Sequence, residues 1–131
     1  MKARRGIYAA AVSPFRADGS MDHNKSVAYA KHLLSDGGCD GVAPTGTTGE
    51  GTSITMADRL ELPAAFAKAG IETDRVIFGT GVPASGDCLA LTKAACDVGY
   101  TNVLVLPPYY YKNPSDDGLY AYYANLINGV G

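Results

Sequence analysis

The sequence predicts an α/β protein built on a parallel sheet, and three observations predict it. Short apolar runs containing Val42, Val76 and Val103 recur at intervals of roughly 30 residues, the length of one βα unit. Each run is followed by a segment with apolar residues at helical spacing. The runs are continuously apolar rather than alternating, as expected of parallel strands covered on both faces. Parallel neighbours require right-handed crossovers, and the helical segments supply them.

The elements follow in order. Ile7 to Val12 is a short apolar strand, and Phe15 to Asp22, with Asp18-Gly19, is a turn-rich loop. Asn24 to Asp36 carries Val27, Ala30 and Leu34 at helical spacing, beside Tyr29 and Leu33, and Gly37-Gly38 ends it. Gly41 to Pro44 is a strand. Thr55 is an N-cap with Asp58 three residues on, in the manner of a capping box, and its helix runs toward Gly70. Pro63 inside that helix should kink it or divide it.

Val76 to Gly79 is the third strand, and Ser85 caps a helix carrying Leu89, Leu91, Ala95 and Val98, closed by Gly99. Asn102 to Leu106 is the fourth strand, stopped by Pro107-Pro108. The last helix presents Leu119, Tyr122, Tyr123, Leu126 and Ile127 as one buried face. Four strand-then-helix units result. They suit a small open doubly wound sheet, or part of a (β/α)8 barrel, which needs eight units and about 250 residues. On the count of units alone the open sheet is favoured, because four units cannot close a barrel.

A chain of 131 residues suits one domain, with 47% hydrophobic and 18% charged residues as in ordinary globular proteins. A net charge of −2 gives no basic footprint for nucleic acid, and no apolar run approaches a membrane helix. Lys2, Arg4, Arg5 and Arg16 read as a solvated N-terminal end. Cys39, Cys88 and Cys96 are odd in number with no C-x-x-C pair, so neither a disulfide framework nor a zinc site is indicated. A reducing, cytoplasmic setting is expected, with Cys88 and Cys96 as small core residues. His23 and His32 have no partner at metal-ligand spacing and read as surface residues.

Gly46-Thr47-Thr48-Gly49-Glu50 is the most informative segment. It follows the second strand, with two glycines to turn the backbone and two hydroxyls beside several N–H groups. Strand C-terminal ends are where parallel α/β folds bind ligands, so the segment suits a small anion such as a carboxylate, and proton movement. It is not a P-loop, because no Lys-Ser or Lys-Thr follows. Gly79-Thr80-Gly81 is a tight turn after the third strand, too irregular for a dinucleotide fingerprint. Pro107 to Pro114 contains Tyr109, Tyr110 and Tyr111, suited to packing, to an interface, or to proton transfer by one phenol.

Taken in order, these motifs resemble one family. Tyr8 to Pro14 is similar to the first strand of the family containing dihydrodipicolinate synthase and N-acetylneuraminate lyase. Pro44 to Gly51 resembles its second-strand signature, and Gly79-Thr80-Gly81 its third strand. Pro108-Tyr109-Tyr110, followed by Pro114-Ser115 and Gly118-Leu119-Tyr120, resembles its fourth.

The resemblance implies a (β/α)8 barrel of which residues 1–131 are the N-terminal half, in a single domain. It implies a Schiff-base lyase or synthase acting on pyruvate or a related 2-keto acid, with no metal or organic cofactor. Thr48, with Gly46 in the same turn, would bind the substrate carboxylate. Thr47 would hydrogen-bond into a proton relay. Tyr110 would reach the relay of a neighbouring subunit in a homo-oligomer. The Thr-Thr pair favours the synthase branch; N-acetylneuraminate lyase and sugar-derived keto-acid aldolases are the alternatives. Where lysine-regulated synthases tend to carry histidines, this chain has Met56 and Arg59, which argues against lysine feedback.

The family's Schiff-base lysine lies at the end of the sixth strand and its main relay tyrosine on the fifth. Lys2, Lys25, Lys31, Lys68, Lys93 and Lys112 all fall on termini, helices or loops. The chain is therefore expected to be half of a family member and inactive alone, or a non-catalytic half-barrel that acts by association.

Overall fold

The computed structural model describes residues 3–131. Its elements are β1 (Tyr8–Ala10), α1 (His23–Leu34), β2 (Gly41–Ala43), α2 (Met56–Lys68), β3 (Phe78–Gly79), α3 (Ser85–Asp97), β4 (Val103–Leu104) and α4 (Asp116–Val130). All four expected βα units are present. The strands are shorter than their apolar runs, because ladder pairing stops where each chain turns out toward its helix.

β1 pairs parallel with β2, Tyr8 opposite Gly41 and Ala10 opposite Ala43, and β3 pairs parallel with β4, Phe78 opposite Val103. A parallel bridge between Val42 and Val76 joins the two ladders. There the N–H of Ile77 donates to Val42 O at 3.0 Å and that of Gly79 to Pro44 O at 2.9 Å. The spatial order is thus β1-β2-β3-β4, the order of the chain. A doubly wound sheet reverses its order at a switch point. A steady progression, with α1 packed on α2, α2 on α3 and α3 on α4, is the arc of a barrel. Topology therefore decides against the open sheet that the count of units alone favoured.

The core lies between strands and helices. Val42, Val76, Leu62, Phe66, Phe78 and Tyr100 are fully buried there. The Phe78 ring centroid is 5.3 Å from Phe66 and 5.1 Å from Tyr100, the latter edge-on. Tyr100 donates its hydroxyl to Ile71 O at 2.7 Å, and burial pushes its phenol up to about 12. A raised folded-state value leaves the Tyr100 contribution whole below the unfolded phenol's value of about 10. That contribution should then fall between roughly pH 10 and 12. Urea unfolding across this range should show the decline, and Tyr100→Phe should weaken it.

Several local expectations are corrected. Only one face of the sheet is covered among the described residues: Val103 and Val105 pack on the helix side, while Leu104 on the opposite face is 45% exposed. That inner face is one a closed barrel covers with its other strands. α1 starts one residue earlier than expected, at His23, because Asp22 caps it by accepting from Lys25 N at 3.0 Å. α2 passes through Pro63 undivided, and the ring is buried beside Leu62 and Phe66. Thr55 caps α2 as expected, accepting from Asp58 N at 3.2 Å. The Asp58 carboxylate accepts from the Thr55 hydroxyl at 2.9 Å and from Met21 N at 3.3 Å, which ties α2 to the loop after β1.

Ser85 is the first residue of α3 rather than its cap; Ala84 holds that place with no side-chain bond. On α4 the buried face narrows to Tyr122 and Leu126, and Ile127 is 68% exposed, because this outermost helix has α3 as its helical neighbour. His23 is half-buried, its Nε2 2.9 Å from Asp58 O, whereas His32 is exposed. Cys88 is core, and Cys96 is only half-buried. Arg4 is not merely solvated: it pairs with Glu72 at 2.6 Å and Asp74 at 3.2 Å. Lys2 lies outside the described residues.

Candidate functional site

The strands deliver their C-terminal ends to one place, and a cleft of about 280 Å³ opens there. Its walls come from the β2 end (Thr45, Gly46, Thr47), the turn beyond it (Gly51, Thr52), the β3 end (Gly79, Gly81) and the β4 end (Leu104, Leu106, Tyr109).

The Gly46–Glu50 turn is built differently from the sequence expectation. Left-handed φ angles fall on Thr45 (58°) and Glu50 (49°), not on Gly46 or Gly49. Gly49, with Gly51 just beyond, serves close approach instead, whereas a Cβ on Gly46 would meet only Leu104 Cδ2, at 3.7 Å. A Cβ on Gly49 would stand 2.8 Å from Ala11 O and from Thr45 N, and one on Gly51 would overlap Thr45 O. Ser13, buried at the end of the first run, donates its hydroxyl to Gly49 O at 2.6 Å.

Within the turn, Gly51 N donates to Gly46 O at 3.1 Å and Glu50 N to Thr47 O at 3.0 Å. These bonds use carbonyls. Among the described residues the N–H groups of Thr47 and Thr48 have no protein acceptor. Both residues are exposed. Adjacent free N–H groups at the mouth of a cleft form a concavity suited to an anion.

Thr45, which bears the strained φ, is buried, with its Oγ1 2.9 Å from Gly79 O. Gly79 O also accepts from Arg59 Nη2 at 2.7 Å. Thr80, next along, receives the Thr92 hydroxyl at 2.9 Å, which fastens the β3 end to α3. Tyr122 donates to Val82 O at 2.9 Å, and burial, aided by a bond with Cys88, raises its phenol. The cleft floor is thus fixed by buried side-chain bonds, while its mouth is open.

Of the residues singled out in the sequence, Gly46 and Thr47 line the cleft. Thr48 stands exposed on the same turn and is not among the lining residues. Tyr110 is 78% exposed, outside the cleft, with its ring centroid 5.5 Å from that of Tyr111. Tyr109 lines the cleft in its place. Sequence reasoning did not pick out Thr45, Thr52, Leu106 or Arg59. Arg59 had a signal: it precedes Leu62, Pro63 and Phe66 at i+3, i+4 and i+7, a cation on a buried stripe. Lys25, Lys31, Lys68, Lys93 and Lys112 are all exposed, and none lines the cleft.

Among the described residues no group of three His, Cys, Asp or Glu is placed to hold a metal ion. No helix among them is long and apolar enough to cross a membrane.

Parallel strands in chain order, helices outside and a cleft at the strand C-termini define part of a (β/α)-barrel protein. The chain belongs to the dihydrodipicolinate synthetase family, whose family model matches residues 3–131. It is 41% identical over 128 residues to an uncharacterized DapA-like lyase of Chloroflexus aurantiacus, covering 96% of this chain and 42% of that one.

Among solved structures it superposes on dihydrodipicolinate synthase of Agrobacterium tumefaciens with a TM-score of 0.87 at 38% identity, over 96% of this chain and 44% of the other. N-acetylneuraminate lyase of Mycoplasma synoviae gives a TM-score of 0.87 at 27% identity, over 95% and 43%. The dihydrodipicolinate synthase of Acinetobacter baumannii, solved with pyruvate, gives 0.82 at 28% identity, over 95% and 42%. The chain thus spans less than half the length of the relatives it matches. Family members are lyases, and the likeness extends to both named branches.

Proposed function

We propose that the protein carrying this chain is a Schiff-base-forming lyase or synthase of pyruvate or a related 2-keto acid, closest in chemistry to dihydrodipicolinate synthase. The observation that carries this reading is the Gly46–Thr48 turn, with its unpaired N–H groups at the edge of the cleft. Carboxylates favour such N–H concavities, and the pyruvate complex of a structural relative supports the choice of ligand.

In this reading the N–H and hydroxyl of Thr48, with Gly46, hold the substrate carboxylate. Thr47 passes a proton through its hydroxyl, which moves charge without burying a permanent ion. Tyr110, exposed beyond β4, serves the relay of a neighbouring subunit in a homo-oligomer. An amine near the substrate ketone must be neutral to attack, which requires desolvation or a nearby cation. The lysines of residues 3–131 are exposed and none lines the cleft, so in this reading the attacking amine is not one of them. The amine condenses with the ketone, releases water and leaves an imine.

Borohydride reduces that imine to a stable secondary amine. Trapping the protein of the whole reading frame with pyruvate should therefore add the mass of one reduced adduct to a single lysine by peptide mass spectrometry. Absence of the adduct would remove the reading.

A further inference from the structure

Arg59 is a buried cation whose charge the site described above leaves unused. It lies on the sheet-facing stripe of α2 and is 5% exposed. Nη2 donates to Gly79 O at 2.7 Å, Nε is buried with no partner, and no carboxylate among the described residues forms an ion pair with it. Burial disfavours its charged form, yet a guanidinium keeps its proton in proteins. The positive charge is therefore permanent. Burying a charge without a counter-ion is costly, and an apolar side chain of similar volume is often as stable or more so. Packing alone does not account for an arginine here.

Its position does. Gly79, whose carbonyl Arg59 holds, lines the cleft, and Thr45 Oγ1 lies 2.9 Å from the same carbonyl. Thr45 leads directly into the turn that carries the free N–H groups. The guanidinium thus sits one peptide group behind the cleft wall. There the surroundings are low in dielectric and its field is little screened. Tyr109, which lines the cleft, is one of the groups electrostatically linked to it.

We propose that Arg59 is a positioning and charge-selecting residue for the cleft. Its fixed charge biases the cleft toward an anionic ligand, and its donor holds the β3 end against Thr45. This rests on the keto-acid reading of the same cleft, so the test must separate the two.

The test measures dissociation constants by calorimetry for the protein of the whole reading frame, with pyruvate and with its uncharged ester, methyl pyruvate. Arg59→Gln keeps a donor for Gly79 O and removes the charge; Arg59→Lys keeps the charge. Arg59→Gln should bind pyruvate about tenfold more weakly, the order expected of a unit charge acting across about 12 Å at an effective dielectric of about 20. It should bind methyl pyruvate unchanged, and Arg59→Lys should restore most of the pyruvate affinity.

Equal losses for both ligands would mean a merely structural role and would overturn the inference, as would an Arg59→Gln protein that binds like wild type. Should Arg59→Gln not fold, Arg59→Lys and wild type still decide. A lysine variant that folds but binds pyruvate no better than methyl pyruvate would sink the idea. A wild-type protein that binds no pyruvate removes the proposed function and this inference together. Wild-type binding with an indifferent Arg59→Gln removes the inference alone.

Discussion

Replacing Phe78 by alanine is expected to lower the unfolding free energy by about 3–5 kcal/mol, the range for deleting a buried aromatic ring. The position makes the upper part of that range the better expectation. Phe78 is one of the largest fully buried side chains, on a two-residue strand between β2 and β4. It packs on Phe66 of α2 at 5.3 Å and on Tyr100 after α3 at 5.1 Å. A cavity there removes contacts to α2 and to the segment after α3 at once, and short strands have few other contacts with which to collapse around it. Urea unfolding followed by far-UV circular dichroism would measure the loss. A change below 1 kcal/mol would show that this ring cluster does not hold the strands to the helices.

Replacing Gly79 by alanine is the second large effect, and it acts on the site. A Cβ at this position would stand 2.5 Å from Thr45 O, 2.6 Å from Thr45 C and 2.8 Å from Gly46 N. All three are backbone atoms, so no rotamer change relieves the overlap. Forcing atoms into a packed interior typically costs about 1–3 kcal/mol. Here the motion needed is of the Thr45–Gly46 segment itself, which moves the N–H groups of Thr47 and Thr48 off the cleft. The expected result is a moderate loss of stability with a disproportionate loss of pyruvate affinity in the whole protein, at least tenfold. Retained affinity with lowered stability would separate the turn from ligand binding.

These two substitutions also mark where sequence reading succeeds and stops. The βα units were legible because their signals are local. Apolar runs of strand length, helical spacing and the Thr55 cap, which accepts from Asp58 N at 3.2 Å, are set within a few residues of chain. Where a second element intervened, local signals misled. Pro63 does not divide α2, because the helix is held by burial of Leu62, Pro63 and Phe66 against its surroundings. Ile127 has the spacing of a buried residue but stays exposed, because no element among the described residues covers its side of α4.

The site divides in the same way. The motif Gly46 to Glu50 could be placed at a strand end from sequence, with the chemistry its hydroxyls and N–H groups allow. The reason for its glycines could not. Gly49 admits the Ala11 carbonyl, brought from the end of the first strand, and the Thr45 backbone folded back by the turn itself, while the strained φ angles fall on Thr45 and Glu50.

The sequence by itself determined the parallel βα order, the family resemblance and the place of the Gly46–Glu50 turn at a strand end, because each is written in neighbouring residues. Only the tertiary structure decided that the strands run in chain order as a barrel arc, that the inner face carrying Leu104 is uncovered, and that Arg59 is buried behind Gly79. Those facts depend on contacts between residues tens of positions apart, which packing selects and no local pattern encodes.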